Sequence, residues 1–279
     1  MEIQKEKYDP EAVDLSTFGM QEELDPRLWG SNNEFNPDIR MKLLKIAQDF
    51  IVELGIDTAT IDDIILTGSL ANYNWSKYSD IDLHIILDFS QVDENVELVR
   101  DFFNARKTIW NNSHDIKMFN YEVEIYMQDS AESHVSTGVF SLKSNQWTIR
   151  PTQEESVNID EDNVKRKAAS FMDQIDRLEE LFHLSKFDDV FNMSSTIRQK
   201  VKRMRRSGLE AGGQYSVENL AFKVLRREGY IGTLLNLRID SYDQMNSITD
   251  VSSNVHQNEI EEIALPNNRL RLRIKAAGT

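Results

Sequence analysis

Two aspartates separated by one residue, within an otherwise apolar run, constrain this chain more than any other feature. Asp80 and Asp82 belong to "DIDLHIIL" (80–87), which alternates like a strand with one buried face. Because successive side chains of a strand point to opposite faces, both carboxylates share one face. Two carboxylates this close repel each other, and burying them without a partner is costly. The pattern therefore predicts a bound cation that offsets the repulsion.

A Gly-Ser pair, Gly68 and Ser69, precedes these aspartates and directly follows the apolar run "DIILT" (63–67). A glycine allows close approach between backbone and ligand, and a serine offers a hydroxyl and an N–H to a terminal phosphate. A later run, "YEVEIYMQ" (121–128), places two further acids on one strand face. Glu124, between valine and isoleucine, is the favoured third carboxylate, and Glu122 is the alternative.

The carboxylates offer oxygen ligands to the expected cation, and the absence of cysteine excludes thiolate ligands. Carboxylate and phosphate oxygens are typical ligands of Mg²⁺ and Mn²⁺. Three carboxylates on neighbouring strands suit a two-metal arrangement for phosphoryl transfer.

These residues resemble the DNA polymerase β-type nucleotidyltransferase superfamily, whose pattern is a Gly-Ser turn, about ten residues, an Asp-x-Asp strand and a later strand acid. Within it, "GSLANYNWSKYSDIDLHI" (68–85) is most similar to minimal nucleotidyltransferases and aminoglycoside adenylyltransferases. The wider chain is similar to uncharacterised predicted nucleotidyltransferases of tailed bacteriophages. The resemblance covers residues 36 to 130 and implies an α+β fold: a polymerase β-like domain, with a small mixed sheet and flanking helices, followed by an α-helical C-terminal domain.

The resemblance also implies roles for the motif residues. Gly68 and Ser69 would bind the β- and γ-phosphates of an NTP. Asp80, Asp82 and Glu124 would hold Mg²⁺ or Mn²⁺ and act in catalysis. The acceptor would attack the α-phosphorus, NMP would be transferred, and pyrophosphate would leave. ATP is the favoured donor and AMP the favoured transferred group.

Basic residues are further candidates for nucleotide binding. Lys77 and Asn72 lie in the loop before Asp80, where each would reach a phosphate or remain solvated. On a predicted helix, the spacing of Arg198, Lys202 and Arg205 forms a cationic stripe. We predict that Lys202 and Arg205 contact the triphosphate or the acceptor, together with a cation from the segment that contains Lys223, Arg226 and Arg227.

Aromatic residues in the same loop allow two interpretations. Tyr73, Trp75 and Tyr78 either stack on a base, as aromatic side chains do in nucleotide sites, or pin the loop to the core. His84 shares the face of the aspartates, and packing beside them is favoured over a direct role.

Helix signals flank this region. Asn36 and Pro37 predict a helix start, and Gly55 predicts its end. A second helix is predicted from Val92 to Trp110. After residue 160 the apolar spacing predicts three helices: one through 164–182, one through 190–204 that breaks at "SGLEAGGQYS" (207–216), and one that Ser216 caps.

These patterns predict five parts along the chain. They are an irregular N-terminal arm (1–35), anchored by Leu28 and Trp29, a catalytic domain (36–150), an acidic linker (151–162), a helical domain (163–240) and a partly irregular C-terminal tail (241–279).

Composition limits the partners. The formal net charge is −15, which disfavours a long polyanion such as RNA because phosphate contacts dominate such binding. We therefore expect NTP and a small-molecule or protein acceptor rather than RNA.

The absence of a signal peptide and of an apolar run long enough for a bilayer predicts no membrane partner and a cytoplasmic location, in a bacterial host if the chain is phage-encoded.

The main alternative to an enzyme is a catalytically inactive module that keeps the fold and senses nucleotide or binds a partner. The presence of all three acids argues against it, since a decayed site usually loses one.

Overall fold

The computed structural model describes residues 8–30, 32–56, 59–132, 136–153 and 157–248, together with the backbone of 260–265 and 269–274. The α-helices are α1 (Pro37–Leu54), α2 (Val96–Ser113), α3 (Glu161–His183), α4 (Phe187–Gly212), α5 (Val217–Arg227) and α6 (Tyr230–Asn246). The strands are β1 (Asp63–Thr67), β2 (Ile81–Leu87), β3 (Lys117–Met118), β4 (Tyr121–Asp129), β5 (Val139–Ser141), β6 (Gln146–Ile149), β7 (Ile260–Leu265) and β8 (Arg269–Ile274).

The first six strands form one mixed sheet in the order β3-β4-β2-β1-β5-β6. β2 and β4 are parallel, whereas β1 pairs antiparallel with both β2 and β5. β2 is therefore a central strand, bordered by β1 on one side and β4 on the other. The two strands that carry the predicted acids lie side by side, and the chain passes from one to the other through α2.

Alternation along β2 and β4 separates a core face from a polar face, as predicted. The opposite, polar face of the two strands presents Asp82, His84, Glu124 and Tyr126, all of them partly exposed. Helices α1 and α2 cover the core face and contribute to the main core. The residues of β2 and β4 buried in that core are Ile81, Leu83, Ile85, Leu87, Tyr121, Val123 and Ile125. The sheet thus supports one polar surface above a well-packed core.

The caps of α1 agree with the sequence prediction. The Asn36 side chain accepts hydrogen bonds from the N–H groups of Asp38 and Ile39, and Pro37 is the first helical residue. Gly55 ends the helix in the left-handed conformation, with φ of 69°. These local signals are sufficient to fix both ends because they satisfy backbone groups that the helix itself leaves unpaired.

Residues 24–29 of the N-terminal arm pack on the mixed sheet. Leu28 and Trp29 are buried, as predicted. The Asp25 side chain is fully buried and accepts hydrogen bonds from Arg27 (2.6 Å) and from the Tyr121 hydroxyl (2.5 Å). Burial alone would raise the pKa of Asp25, but these two hydrogen bonds lower it below its ordinary value. Asp25 is therefore a charged anchor between the arm and β4.

Replacing Asp25 by alanine is expected to lower the free energy of unfolding by about 2–4 kcal/mol, because the buried Tyr121 hydroxyl and the Arg27 guanidinium lose their partner. Urea denaturation measures the change. Asp49→Ala is the matched control, since Asp49 pairs with Lys45 on an exposed helix face, where such a pair contributes little. Equal effects of the two substitutions would contradict the anchoring role of Asp25.

Several helix boundaries differ from the sequence prediction. α2 begins at Val96 instead of Val92, after Asn95, whose side chain caps it. The second helix after residue 160 does not break at Ser207, because α4 continues to Gly212. Gly208 lies inside this helix, and a Cβ there would lie 2.4 Å from the Glu218 Cβ. Close packing, and not a turn, explains that glycine.

The end of the helical region shows one confirmed cap and one missed helix. Ser216 caps α5 by accepting a hydrogen bond from the Asn219 N–H, as predicted. Beyond Gly229 the sequence analysis predicted no separate helix, whereas the structure contains α6. Its apolar residues are less clearly segregated to one face, which is why periodicity did not reveal it.

The chain divides into two compact units. The first comprises Met1–Gln174 and Lys200–Ile231, and it contains the mixed sheet. The second comprises Ile175–Gln199 and Gly232–Thr279; within it Arg238 of α6 donates to the Ser195 hydroxyl at 3.0 Å. The domain boundaries predicted from sequence stay a prediction.

In the part of the chain that is described, no helix has the length and apolar character needed to cross a membrane.

Candidate functional site

The Gly-Ser turn lies at the end of β1, against the carboxylate of Asp82. Gly68 has φ of 75° and ψ of −160°, a conformation that is essentially restricted to glycine. A Cβ at this position would lie 1.8 Å from the Asp82 Oδ2. Gly68 is therefore required twice, by its backbone conformation and by the closeness of the carboxylate.

Side chains on both sides hold this turn. The Ser69 hydroxyl lies 2.7 Å from the Ser79 hydroxyl, which links the two ends of the loop. Asn72 donates to the Gly68 carbonyl at 2.6 Å and accepts from the Thr137 hydroxyl at 2.8 Å. Asn72 is buried, so it shapes the turn instead of reaching toward a phosphate or into solvent.

The loop aromatics divide between the two interpretations given above. Trp75 packs against the main core and donates from Nε1 to the Glu23 carbonyl at 2.8 Å. Tyr73 packs against the same core, and its carbonyl accepts from the Gln21 N–H at 2.7 Å. Both residues pin the loop to the protein. Tyr78 is the exposed aromatic of the three, at 45%, and retains a surface on which a base could stack.

The three predicted carboxylates lie on adjacent strands. Asp80 immediately precedes β2, and the parallel register places Asp82 beside Glu124 of β4. Glu122 is exposed and lies 3.6 Å from the Lys117 Nζ at the edge of the sheet. The register thus places Glu124, the favoured acid, beside Asp82, and its role as the third acid stays a prediction.

Burial and mutual repulsion make Asp82 an unusual carboxylate. Burial, followed by the charges of Asp80 and Glu124, raises the pKa of Asp82 to about 7. Burial also raises the pKa of Asp80, against the opposing effect of Arg226. A group of carboxylates that raise one another's pKa favours a cation nearby.

Helix α5 and helix α4 supply positive charge to the same place. The Arg226 Nη2 lies 2.9 Å from the Asp80 Oδ2. Burial lowers the pKa of Lys223, the charges of Arg226 and Arg205 lower it further, and Asp82 opposes them. The Arg205 guanidinium lies 4.3 Å from the centre of the Phe222 ring. Arg226 and Lys223 thus lie near the carboxylates, and Arg205 lies near these two cations.

Two residues at the site were not assigned a role from the sequence. The Tyr126 hydroxyl donates to the Glu124 Oε2, and the Lys107 Nζ of α2 lies 4.2 Å from the centre of the Tyr126 ring. Tyr126 shares the face of Glu124 by period-two alternation, so that signal was present. No local pattern indicated Lys107. His84 stacks on Tyr126 with ring centres 4.8 Å apart, which agrees with packing beside the carboxylates.

The fit of a divalent cation can be judged from these side chains. The candidate ligands Asp80, Asp82 and Glu124 offer carboxylate oxygens, which are the ligands that Mg²⁺ and Mn²⁺ prefer. The Arg226 guanidinium pairs with Asp80 and supplies a positive charge where the metal ion would bind. Among the residues that the structure describes, however, no group of three or more His, Cys, Asp or Glu side chains is arranged so that it could hold a metal ion. Asp80 and Glu124 are instead engaged by Arg226 and Tyr126. The chemistry of the three carboxylates therefore fits a divalent cation, whereas their present arrangement does not, and Asp80 and Glu124 would have to exchange partners to bind one.

The remaining predicted basic residues lie farther from direct contact. Lys202 is exposed on α4, one turn before Arg205. Lys77 is in the loop, with its Nζ 4.9 Å from the centre of the Tyr78 ring. Their roles in nucleotide binding stay predictions.

A cavity of about 190 Å³ opens beside Glu124. Its lining is mainly polar and consists of Asn111, Asn112, His114, Asp115, Ile116, Glu122, Val123 and Glu124. Asn111 is fixed by two hydrogen bonds to the backbone of Ile125, at 3.1 and 3.2 Å. The third acid therefore borders a small polar space.

Comparison with known proteins finds a family model that matches part of the chain. Residues 44–146 match the family model described as "Nucleotidyltransferase domain". No curated protein and no solved structure matches the chain. The matched segment contains β1, the Gly-Ser turn, β2 and β4. The predicted fold class is confirmed: a nucleotidyltransferase domain with a small mixed sheet flanked by helices, followed by a helical C-terminal region. Domains of this kind transfer nucleotides in general.

Proposed function

We propose that this protein is a metal-dependent nucleotidyltransferase that transfers NMP, with AMP favoured, from an NTP to an acceptor hydroxyl. The observation that carries the proposal is the parallel register of β2 and β4, which places Glu124 beside Asp82 next to the Gly68 turn. The cations of α4 and α5 near this group support it further. Asp80, Asp82 and Glu124 are the proposed catalytic and metal-binding residues.

In the proposed reaction the acceptor oxygen bonds to the α-phosphorus, the bond between the α-phosphorus and the bridging oxygen breaks, and pyrophosphate leaves. Mg²⁺ or Mn²⁺ held by the three carboxylates would supply charge neutralisation at the phosphate. In this proposal Glu124 accepts the hydroxyl proton, and the Tyr126 hydroxyl, which donates a hydrogen bond to Glu124, would orient it. Gly68 and Ser69 bind the terminal phosphates, and Lys77, Lys202 and Arg205 assist them. Catalysis arises from positioning and charge neutralisation.

The small polar cavity beside Glu124 supports a compact acceptor group, either a small molecule or a side-chain hydroxyl of a protein. The net charge of −15 works against a long RNA. We propose that NTP and such an acceptor are the partners, and that the protein acts in the cytoplasm. A phage origin rests on the sequence resemblance alone.

A second candidate is an inactive nucleotide-sensing module with the same fold. One observation favours it: the Arg226 and Tyr126 side chains engage Asp80 and Glu124, and such contacts would persist in a protein that never binds metal.

Incubation with each α-³²P-labelled NTP, Mg²⁺ or Mn²⁺ and a cell extract tests the proposal. We expect label to move to a small molecule or a protein, with pyrophosphate released, and Asp80→Ala/Asp82→Ala to abolish the transfer. Asp49→Ala is the control, because Asp49 is an exposed acid of α1 that pairs with Lys45 and has no part in the proposed site, so its loss should leave transfer largely intact. Nucleotide binding without transfer of label from any NTP would instead support the sensing module.

A further inference from the structure

Arg226 occupies an oxygen that the proposed function assigns to a divalent cation. Its Nη2 lies 2.9 Å from the Asp80 Oδ2. The Asp80 side chain is 20% exposed, whereas that of Arg226 is 52% exposed. The acid is thus held within the site, and the guanidinium reaches it from the solvent side, on the last turn of α5.

The neighbouring arginine is held differently. Arg227 donates to the Thr17 hydroxyl and to the Asp14 carbonyl, and its side chain is only 7% exposed. Arg227 therefore fastens α5 to the N-terminal arm. Because α5 is fastened through Arg227, the Arg226 side chain can change partners while the helix stays in place.

We infer that Arg226 is a resident cation that a divalent metal ion displaces from Asp80, after which its guanidinium binds a phosphate of the incoming NTP. This inference rests on the proposed function. A guanidinium hydrogen-bonded to this oxygen and a metal ion bound to the same carboxylate would repel each other at close range, so the two cations compete. An ion pair exposed on one side contributes little net free energy and is readily exchanged. The planar guanidinium fork fits phosphate as well as it fits carboxylate.

The exchange would couple metal binding to nucleotide binding. Metal alone must displace Arg226 without offering it another partner, whereas metal and triphosphate together provide one. The two ligands should therefore bind more tightly together than separately, and Arg226 should carry part of that coupling.

Binding of Mn²⁺ to the whole protein, followed by the electron paramagnetic resonance signal of free Mn²⁺, tests the exchange without any turnover. Arg226→Gln is expected to bind Mn²⁺ alone about fivefold to tenfold more tightly than the unsubstituted protein. It should bind ATP in the presence of Mn²⁺ more weakly. Arg150→Gln, at the exposed arginine that directly follows β6, controls for the loss of one positive charge and should change neither affinity.

The Asp80→Asn background separates competition from a structural effect. If Arg226 acts by occupying Asp80, Arg226→Gln should no longer tighten Mn²⁺ binding once Asp80 has been replaced. Equal Mn²⁺ affinity of the unsubstituted protein and Arg226→Gln, with both binding the ion, would overturn the inference and leave the proposed function standing. Failure of both to bind Mn²⁺, with or without ATP, would overturn the proposed function as well.

Discussion

Asp82→Asn is expected to abolish nucleotidyl transfer while making the metal-free protein more stable at pH 8. We expect kcat to fall by about 10³-fold or more, because a carboxylate that neutralises the reacting phosphate is lost. The free energy of unfolding should rise by about 2–4 kcal/mol at pH 8, since a buried charge held near two other acids is removed. A substitution that damages activity and improves stability identifies a functional carboxylate.

The direction of the pH dependence follows from the raised pKa. The pKa of Asp82 is about 7 in the folded protein, against an ordinary value of 3.8. Between these values the folded state binds more protons than the unfolded state, so this group lowers stability as pH rises from about 4 to 7 and adds no further change above about pH 8. Asp82→Asn should therefore match the unsubstituted protein near pH 4 and exceed it at pH 8.

Urea denaturation across this pH range, with and without Mn²⁺, measures both effects. Mn²⁺ should stabilise the unsubstituted protein at pH 8 more than it stabilises Asp82→Asn, because the ion binds only the folded carboxylates. Asp63→Asn is a suitable control, since Asp63 lies on β1 with its carboxylate bonded to the Ser141 hydroxyl. A parallel pH profile for Asp82→Asn and the unsubstituted protein would contradict the raised pKa.

Gly68→Ala is the second substitution with a large expected effect. The added Cβ would lie 1.8 Å from the Asp82 Oδ2, at a φ of 75° that side chains rarely adopt. Either the turn or the carboxylate must move, so we expect a loss of about 2–4 kcal/mol in the free energy of unfolding and a loss of transfer activity beyond what unfolding explains.

Gly55→Ala separates the two causes. Gly55 also has a positive φ, of 69°, but a Cβ there would meet nothing within 4 Å. Its replacement should cost about 1 kcal/mol from backbone strain alone and leave transfer unchanged. Denaturation and labelled-nucleotide transfer are measured on both variants at a temperature where each is folded. Equal behaviour of the two variants would show that Asp82 does not lie against the turn.

Local patterns determined much of the fold before any tertiary contact was known. Period-two alternation assigned the core face and the acidic face of β2 and β4 correctly, because a strand fixes side-chain direction residue by residue. Asn36, Gly55 and Ser216 marked helix ends correctly, because caps satisfy backbone groups nearby in sequence. The same local reasoning misread Gly208, whose neighbour Glu218 becomes visible only when α4 and α5 pack.

The sequence by itself determined which residue types would gather: two aspartates, a later glutamate, a glycine turn and basic residues. The tertiary structure placed Glu124 beside Asp82, by the register of two strands distant in sequence. It alone distinguished Arg226 from Arg227, by the contacts of α5. Periodicity states which face of an element a residue lies on, whereas strand register and helix packing arise from contacts between distant segments. Those contacts decided which acid and which arginine meet at the candidate site.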